Sequence, residues 1–193
     1  TPFVYQGQEI GMLNWQPESA DMYEDVQTRW QYENTATNKT PQQRLERLWR
    51  SSRDSARTPV QWSDEENAGF TTGTPWFYVN SNYPDINVRQ QEQDPGSILN
   101  FYRKAISLRK SLPVVRHGSY REHFPADGKI YCYSRQMPGQ RLLVLCSFAD
   151  KPVPLRIPNG FDLKQGKLVL SNYDRPCPKA LRPYETRVYL WED

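Results

Sequence analysis

The order of apolar and polar residues changes period near Gly118. Before it, Leu45, Leu48 and Trp49 recur at helical spacing behind Thr40-Pro41-Gln42-Gln43. That tetrapeptide is a capping box with proline at the first helical position, and it predicts a helix that delivers the chain to Arg53. A second helix is predicted from Asp94-Pro95, with Ile98, Phe101, Tyr102, Ala105, Ile106 and Leu108 on its buried face. Arg109 and Lys110 near its end suit the helix dipole, and Pro113 stops it. Phe3-Val4-Tyr5 ahead of Gly7 reads as a short buried strand with a tight exit. Leu13 to Lys39 carries no sustained period, and Gly73 to Asp94 reads as loop.

From Gly118 onward the pattern is that of short strands: Gly118 to Phe124, Lys129 to Gln136, Arg141 to Phe148, Val153 to Ile157, Gly166 to Ser171 and Thr186 to Trp191. Asp127-Gly128 and Pro138-Gly139 are hairpin signals between them. Strands following helices predict an α+β chain with a separate antiparallel domain, a β-sandwich, over residues 118–193.

Composition narrows the function classes. A chain of 193 residues can bury a sizeable core, but its hydrophobic content of 37% is low for a self-contained globule and its aromatic content of 13% is high. A formal charge of +3 without a basic block argues against nucleic acid. No apolar run approaches the ~20 residues needed to span a bilayer, and nothing reads as a signal peptide. Cys132, Cys146 and Cys177 are odd in number and lack metal or redox spacing, which predicts a reduced, cytoplasmic protein. His117 and His123 have no second ligand nearby and read as surface histidines, so no metal site is predicted.

The candidate chemistry is concentrated between Ser52 and Trp76. Arg53 and Arg57 are four apart with Asp54 between them, and each guanidinium offers five fixed donors to carboxylates, phosphates or sugar hydroxyls. Trp62, Phe70 and Trp76 interleave with small polar residues, a mix suited to stacking on a sugar ring. The same stretch also reads as a surface loop pinned by an Arg–Asp ion pair. Gln8 and Glu9 stand just past the predicted first strand, where residues of a TIM-type barrel face the active site. Glu9 is thus the first candidate carboxylate, and it can equally serve to hold neighbouring loops by hydrogen bonds.

Ser52 to Trp76 resembles the R-D-[NSH]-[SA]-R-T-P-[MV]-Q-W…N-A-G-F-[ST]…P-W signature of oligo-1,6-glucosidase-type enzymes, a branch of the α-amylase family that includes trehalose-6-phosphate hydrolases and sucrose isomerases. Thr1 to Met12 resembles the last barrel strand and its exit in those enzymes, and Leu181 to Glu185 resembles their L-x-P-[YFW]-E ending. The resemblance implies that residues 1–117 form the last strand, pocket loops and last helix of a (β/α)8 barrel, with the sandwich behind it. It implies that Arg53 binds a terminal glucose, with Arg57 as the second arginine. Asp21 to Gln27 resembles the segment D-x-Y-x-D-[IV]-E, whose final Glu lines the acceptor side; here that position is Gln27, which removes a charge beside the leaving group.

Retaining glycoside hydrolysis needs two carboxyl groups ~5–5.5 Å apart across the scissile bond. The resemblance places the nucleophile, the acid and a supporting Asp upstream of Thr1, so this chain is expected to contain no catalytic acid, to need no cofactor, and to be inactive alone. Its opening on Thr1 predicts an internal fragment or processed product. The expected partners are a small carbohydrate, the upstream barrel segment and, in isolation, a second copy of the chain. Two other readings stay open: a non-catalytic relative such as the heavy subunits of amino-acid transporters, and a sugar-binding module built on the sandwich.

Overall fold

The first helix, α1 at Val26–Asn34, begins where the Asp25 carboxylate accepts the Thr28 amide at 2.9 Å. It lies in a stretch whose apolar spacing predicts no helix, so its cause is the cap and what the cap is tied to. The second, α2 at Pro41–Trp49, follows the predicted capping box: Thr40 Oγ1 accepts the Gln43 amide and the Gln43 side chain accepts the Thr40 amide, both at 3.2 Å. Leu45 and Leu48 are its buried residues. A third helix, α3 at Val88–Gln93, occupies part of the predicted loop, started by Asn87 Oδ1 on the Gln90 amide at 2.9 Å.

The computed structural model describes residues 2–192, in two compact units, one ending at Asn100 and the other beginning at Phe101. The core of the first is aromatic: Trp15, Tyr23, Leu45, Leu48 and Phe77 pack together, with Trp15 edge-on to Tyr23 and stacked on Tyr78 at 5.0 Å. Loops there are tied by side-chain amides to distant carbonyls. Asn14 donates to Trp49, Asn80 to Leu13 and Gln91 to Ile10. Such bonds satisfy backbone acceptors where no regular structure does.

Two local predictions fail in this unit. Phe3-Val4-Tyr5 forms no strand, and Phe3 is 91% exposed. An apolar run becomes a buried strand only beside another strand, and none of the described residues pairs with it. Helix α4 starts at Ile98, four residues after Asp94. Ser97 Oγ accepts the Asn100 amide at 3.2 Å, while Asp94 Oδ1 turns onto Gly96 at 2.8 Å. The helix runs to Ser111, with Leu99 buried and Ile98 and Ile106 of the predicted buried face a little under half exposed.

Pro113 both ends α4 and begins α5, Pro113–His117, at whose first position its missing N–H costs nothing. The turn out of α5 is tight: a Cβ on Gly118 would sit 2.6 Å from the Val114 carbonyl. Seven strands follow: β1 Ser119–His123, β2 Ile130–Met137, β3 Gln140–Ser147, β4 Val153–Pro154, β5 Lys167–Ser171, β6 Ala180–Leu181 and β7 Thr186–Glu192. They form a five-stranded sheet in the order β1-β2-β3-β7-β5, antiparallel throughout, and a ribbon of β4 with β6.

Alternation assigns the two faces of this sheet. Cys132, Leu143, Leu145, Tyr189 and Trp191 pack with Val153 and Leu181 of the ribbon, while Leu142, Val144, Val188 and Leu190 pack on Val114 of α5. The strand predicted over Val153 to Ile157 shrinks to two residues, and its partner β6 is too short to carry any alternation. No helix among the described residues is long and apolar enough to cross a membrane.

Candidate functional site

Helix α2 ends in three backbone bonds that turn the chain: Arg50 to Arg47, and Ser51 and Ser52 to Leu48. Ser52 Oγ then accepts the Asp54 amide at 3.2 Å and starts a 3-10 turn, Arg53–Ala56. This turn sends the Asp54 side chain inward, to 0% exposure, and leaves Arg53 outside.

Asp54 reaches two separate parts of the unit. Its Oδ1 accepts Arg57 Nη1 at 2.8 Å. Its Oδ2 accepts the backbone amides of Glu24 at 2.8 Å and Asp25 at 3.0 Å. Asp25 in turn accepts both the amide and the hydroxyl of Thr28, and Arg57 Nη2 lies 3.6 Å from its other oxygen. Thr28 Oγ1 meets Ser52 Oγ at 3.1 Å, which closes the ring of bonds on the residue that started it. A buried carboxylate is tolerated when its lone pairs are filled by donors, and charge-assisted bonds are about twice as strong as neutral ones.

Two arginines thus stand beside two carboxylates. Burial pushes the Asp25 carboxyl up, but the Thr28 hydroxyl and amide and the Arg57 and Arg53 guanidiniums outweigh it, and the group lies below the usual range. Burial, followed by the Asp54 charge, pushes the Tyr23 hydroxyl up to about 12. Both effects favour one state at neutral pH: Asp25 ionised and the Tyr23 phenol neutral.

The four residues singled out in the sequence fall in two places. Arg53 and Arg57 flank the 3-10 turn, and Gln27 is exposed on the first turn of α1, two residues from Asp25. Arg57 is held by its carboxylates, as the pinned-loop alternative describes, whereas Arg53 makes no hydrogen bond or ion pair among the described residues. Glu9 lies in a separate 3-10 turn, Gln8–Ile10, with Oε2 buried and without a partner among the described residues. No hydrogen bond joins it to the other three there.

Trp62, Phe70 and Trp76 are all exposed, Trp76 at 78%, but no ring contact joins them. Their loop is shaped instead by Ala68, whose carbonyl accepts both the Trp62 and Ser63 amides within a left-handed run from Asn67 to Gly69. His117 is exposed, and His123 meets Ser134 Oγ at 2.9 Å. No cluster of three metal-ligating side chains occurs among the described residues.

Sequence reasoning did not single out Asp25, Thr28 or Ser52. The available signal was the spacing of Asp25 and Thr28, which is that of a helix cap.

A family profile described as the α-amylase catalytic domain matches residues 1–118. The chain belongs to the α-amylase family. This α-amylase-family chain is 42% identical to an oligo-1,6-glucosidase of Halalkalibacterium halodurans and 36% identical to a trehalose-6-phosphate hydrolase of Escherichia coli, in each case over 98% of its own length and 35% of the relative's. The crystal structure of Bacillus licheniformis trehalose-6-phosphate hydrolase superposes with a TM-score of 0.92 at 36% identity, covering 100% of this chain and 36% of that one. Isomaltulose synthase from Klebsiella sp. LX3 gives 0.86 at 35% identity, covering 99% and 35%. The chain therefore spans about a third of the length of the relatives it matches. They place it in the oligo-1,6-glucosidase and trehalose-6-phosphate hydrolase branch.

Proposed function

We propose that this chain works as the closing part of a retaining α-glucosidase that removes terminal α-linked glucose from small oligosaccharides. Residues 1–117 would complete a (β/α)8 barrel whose other strands lie in an upstream segment, and residues 118–193 would form a C-terminal β-sandwich domain. Exposed Phe3 and its neighbours become the barrel's last strand once that segment supplies partners.

The observation that carries the reading is the state of the two arginines. Arg57 spends its donors on Asp54 and Asp25, while exposed Arg53 keeps its own for a ligand. A planar guanidinium with five N–H groups grips adjacent hydroxyls of one glucose ring. The two guanidiniums and two carboxylates sum to no net charge, which suits a neutral sugar. Gln27 lines the acceptor side without adding a negative charge, and Glu9 buttresses the loop beyond the last strand. The nucleophile and general acid come from the upstream segment, and no cofactor takes part. Three unpaired cysteines support a cytoplasmic setting.

The test is glucose release from an aryl α-glucoside, by the chain alone and after mixing with a separately expressed upstream segment. Activity only on mixing supports the proposal. Activity from the chain alone makes Glu9 the suspect acid, and silence in both refutes the glucosidase reading.

A further inference from the structure

We propose that Asp54 is a positioning residue that sets the distance between Arg53 and Gln27, and so fixes how the pocket meets the two sides of a glycosidic bond. The inference rests on the glucosidase reading and deepens it.

Arg53 and Gln27 lie on elements 26 residues apart in sequence, a 3-10 turn and the first turn of α1. One fully buried carboxylate joins those elements. Oδ2 holds the Glu24 and Asp25 amides, which sit immediately before α1, and Oδ1 holds Arg57, which ends the Arg53 turn. Its own amide bonds Ser52, whose hydroxyl meets Thr28 on α1, so the junction is closed from both sides. A ring of bonds through two elements resists shear in a way that a single contact does not, and sub-ångström placement is what sugar recognition needs.

Chemistry restricts what can stand at this position. Three N–H donors converge on the two oxygens, and a carboxylate alone offers acceptors on both sides. An Asp54→Asn side chain has nearly the same shape but one oxygen. In either orientation its NH2 group faces a donor, Arg57 on one side or the two amides on the other.

The experiment uses the chain mixed with the upstream segment and an aryl α-glucoside, together with amide hydrogen exchange on the chain. For D54N the expected result is a rise in KM of about tenfold, with kcat within about threefold, because binding geometry is lost and the reacting groups are untouched. Either the Glu24 and Asp25 amides exchange about tenfold faster or the Arg57 guanidinium protons do. Thr40→Ala, which weakens α2 without entering the ring, lowers stability and leaves KM where it was. Should D54N not fold, Ser52→Ala opens the same ring from its other side and shifts KM in the same sense. A folded D54N or S52A with wild-type KM and wild-type exchange overturns the inference, as does a KM shift of equal size in T40A. Absence of glucose release by the wild-type mixture overturns the glucosidase reading instead, and the exchange rates still report on the ring.

Discussion

Arg187 and Glu185 meet as a buried fork, Nε on Oε1 and Nη2 on Oε2, both at 2.8 Å, with side-chain exposures of 1% and 0%. The fork is closed by its neighbours: Arg182 donates its amide to Oε2 at 2.7 Å and Arg187 donates to the Ala180 carbonyl at 2.7 Å. It thereby ties β7 to the ribbon strand β6. Removing one partner strands the other charge in the core, so Glu185→Gln or Arg187→Met should each cost about 3–5 kcal/mol in urea unfolding of the second unit. Replacing both by apolar residues of similar volume should cost far less. Equal losses in the single and double variants would mean that the pair acts through packing alone.

Acid stability follows from the same fork and from Asp25. Burial pushes the Glu185 carboxyl up, but its bonds from Arg187 and Arg182 outweigh this and leave it lowered, as Asp25 is. A carboxyl lowered in the folded state contributes stability that is complete above its unfolded value and is lost as pH falls through the folded one. Melting temperature should therefore be level from about pH 7 to 5 and drop steeply below about 4. E185Q should show a shallower drop, from a lower plateau.

The two arginines of the site should separate in their effects. Arg57→Ala leaves Asp54 buried with backbone partners only and should cost about 1–3 kcal/mol of stability, toward the lower figure because Arg57 is partly exposed. Arg53→Ala breaks no hydrogen bond or ion pair of the ring, removing only a weak charge attraction to Asp25, and should stay within about 0.5 kcal/mol. Glucose release by the reconstituted enzyme should fall far more for R53A than its stability does. Thermal melts alongside the activity assay distinguish the two.

Thiol reactivity should be ordered by environment. The Lys179 and Ala180 amides pull the Cys177 thiol down, while burial pushes Cys146 up and Cys132 up to about 12. Iodoacetamide at pH 8 should label Cys177 first and Cys132 only after denaturation. Peptide mass spectrometry over a time course reads this directly.

Much of the fold could be read from the sequence, and the misses share a cause. The longer strands β2, β3 and β7 were legible as apolar runs bounded by turn residues, β3 and β7 being buried on both faces, while β1, exposed until His123, was marked by the hairpin signal that follows it. The Thr40 box was legible because its partners lie three residues apart. Helix α1 was not, since its apolar residues take no one side; it forms because Asp25 caps the Thr28 amide while Asp54 holds the Glu24 and Asp25 amides just ahead of it, and that is a tertiary fact. The same holds for the site. Arg53 and Arg57 could be seen as a pair, but nothing in their spacing says which one is held and which one is left exposed. Ile98 and Ile106 mislead in the opposite way, because helical periodicity records a face intended for burial and not the neighbour that buries it.

The side-chain amides that tie the loops of the first unit carry a further consequence, for ageing. Asn14, Asn80, Asn87 and Gln91 each point an NH2 group at a main-chain oxygen, at 2.7 to 3.0 Å. Hydrolysis of such a carboxamide replaces the donor with an anionic oxygen, and an attraction becomes a repulsion at the same distance. The damage is one atom in size and cannot be undone by refolding. Where sheets or disulfides hold loops together, a molecule wears out by unfolding; here the shelf life of these loops is written into the chemistry of side-chain amides, to which Gln61 and Gln90 also belong.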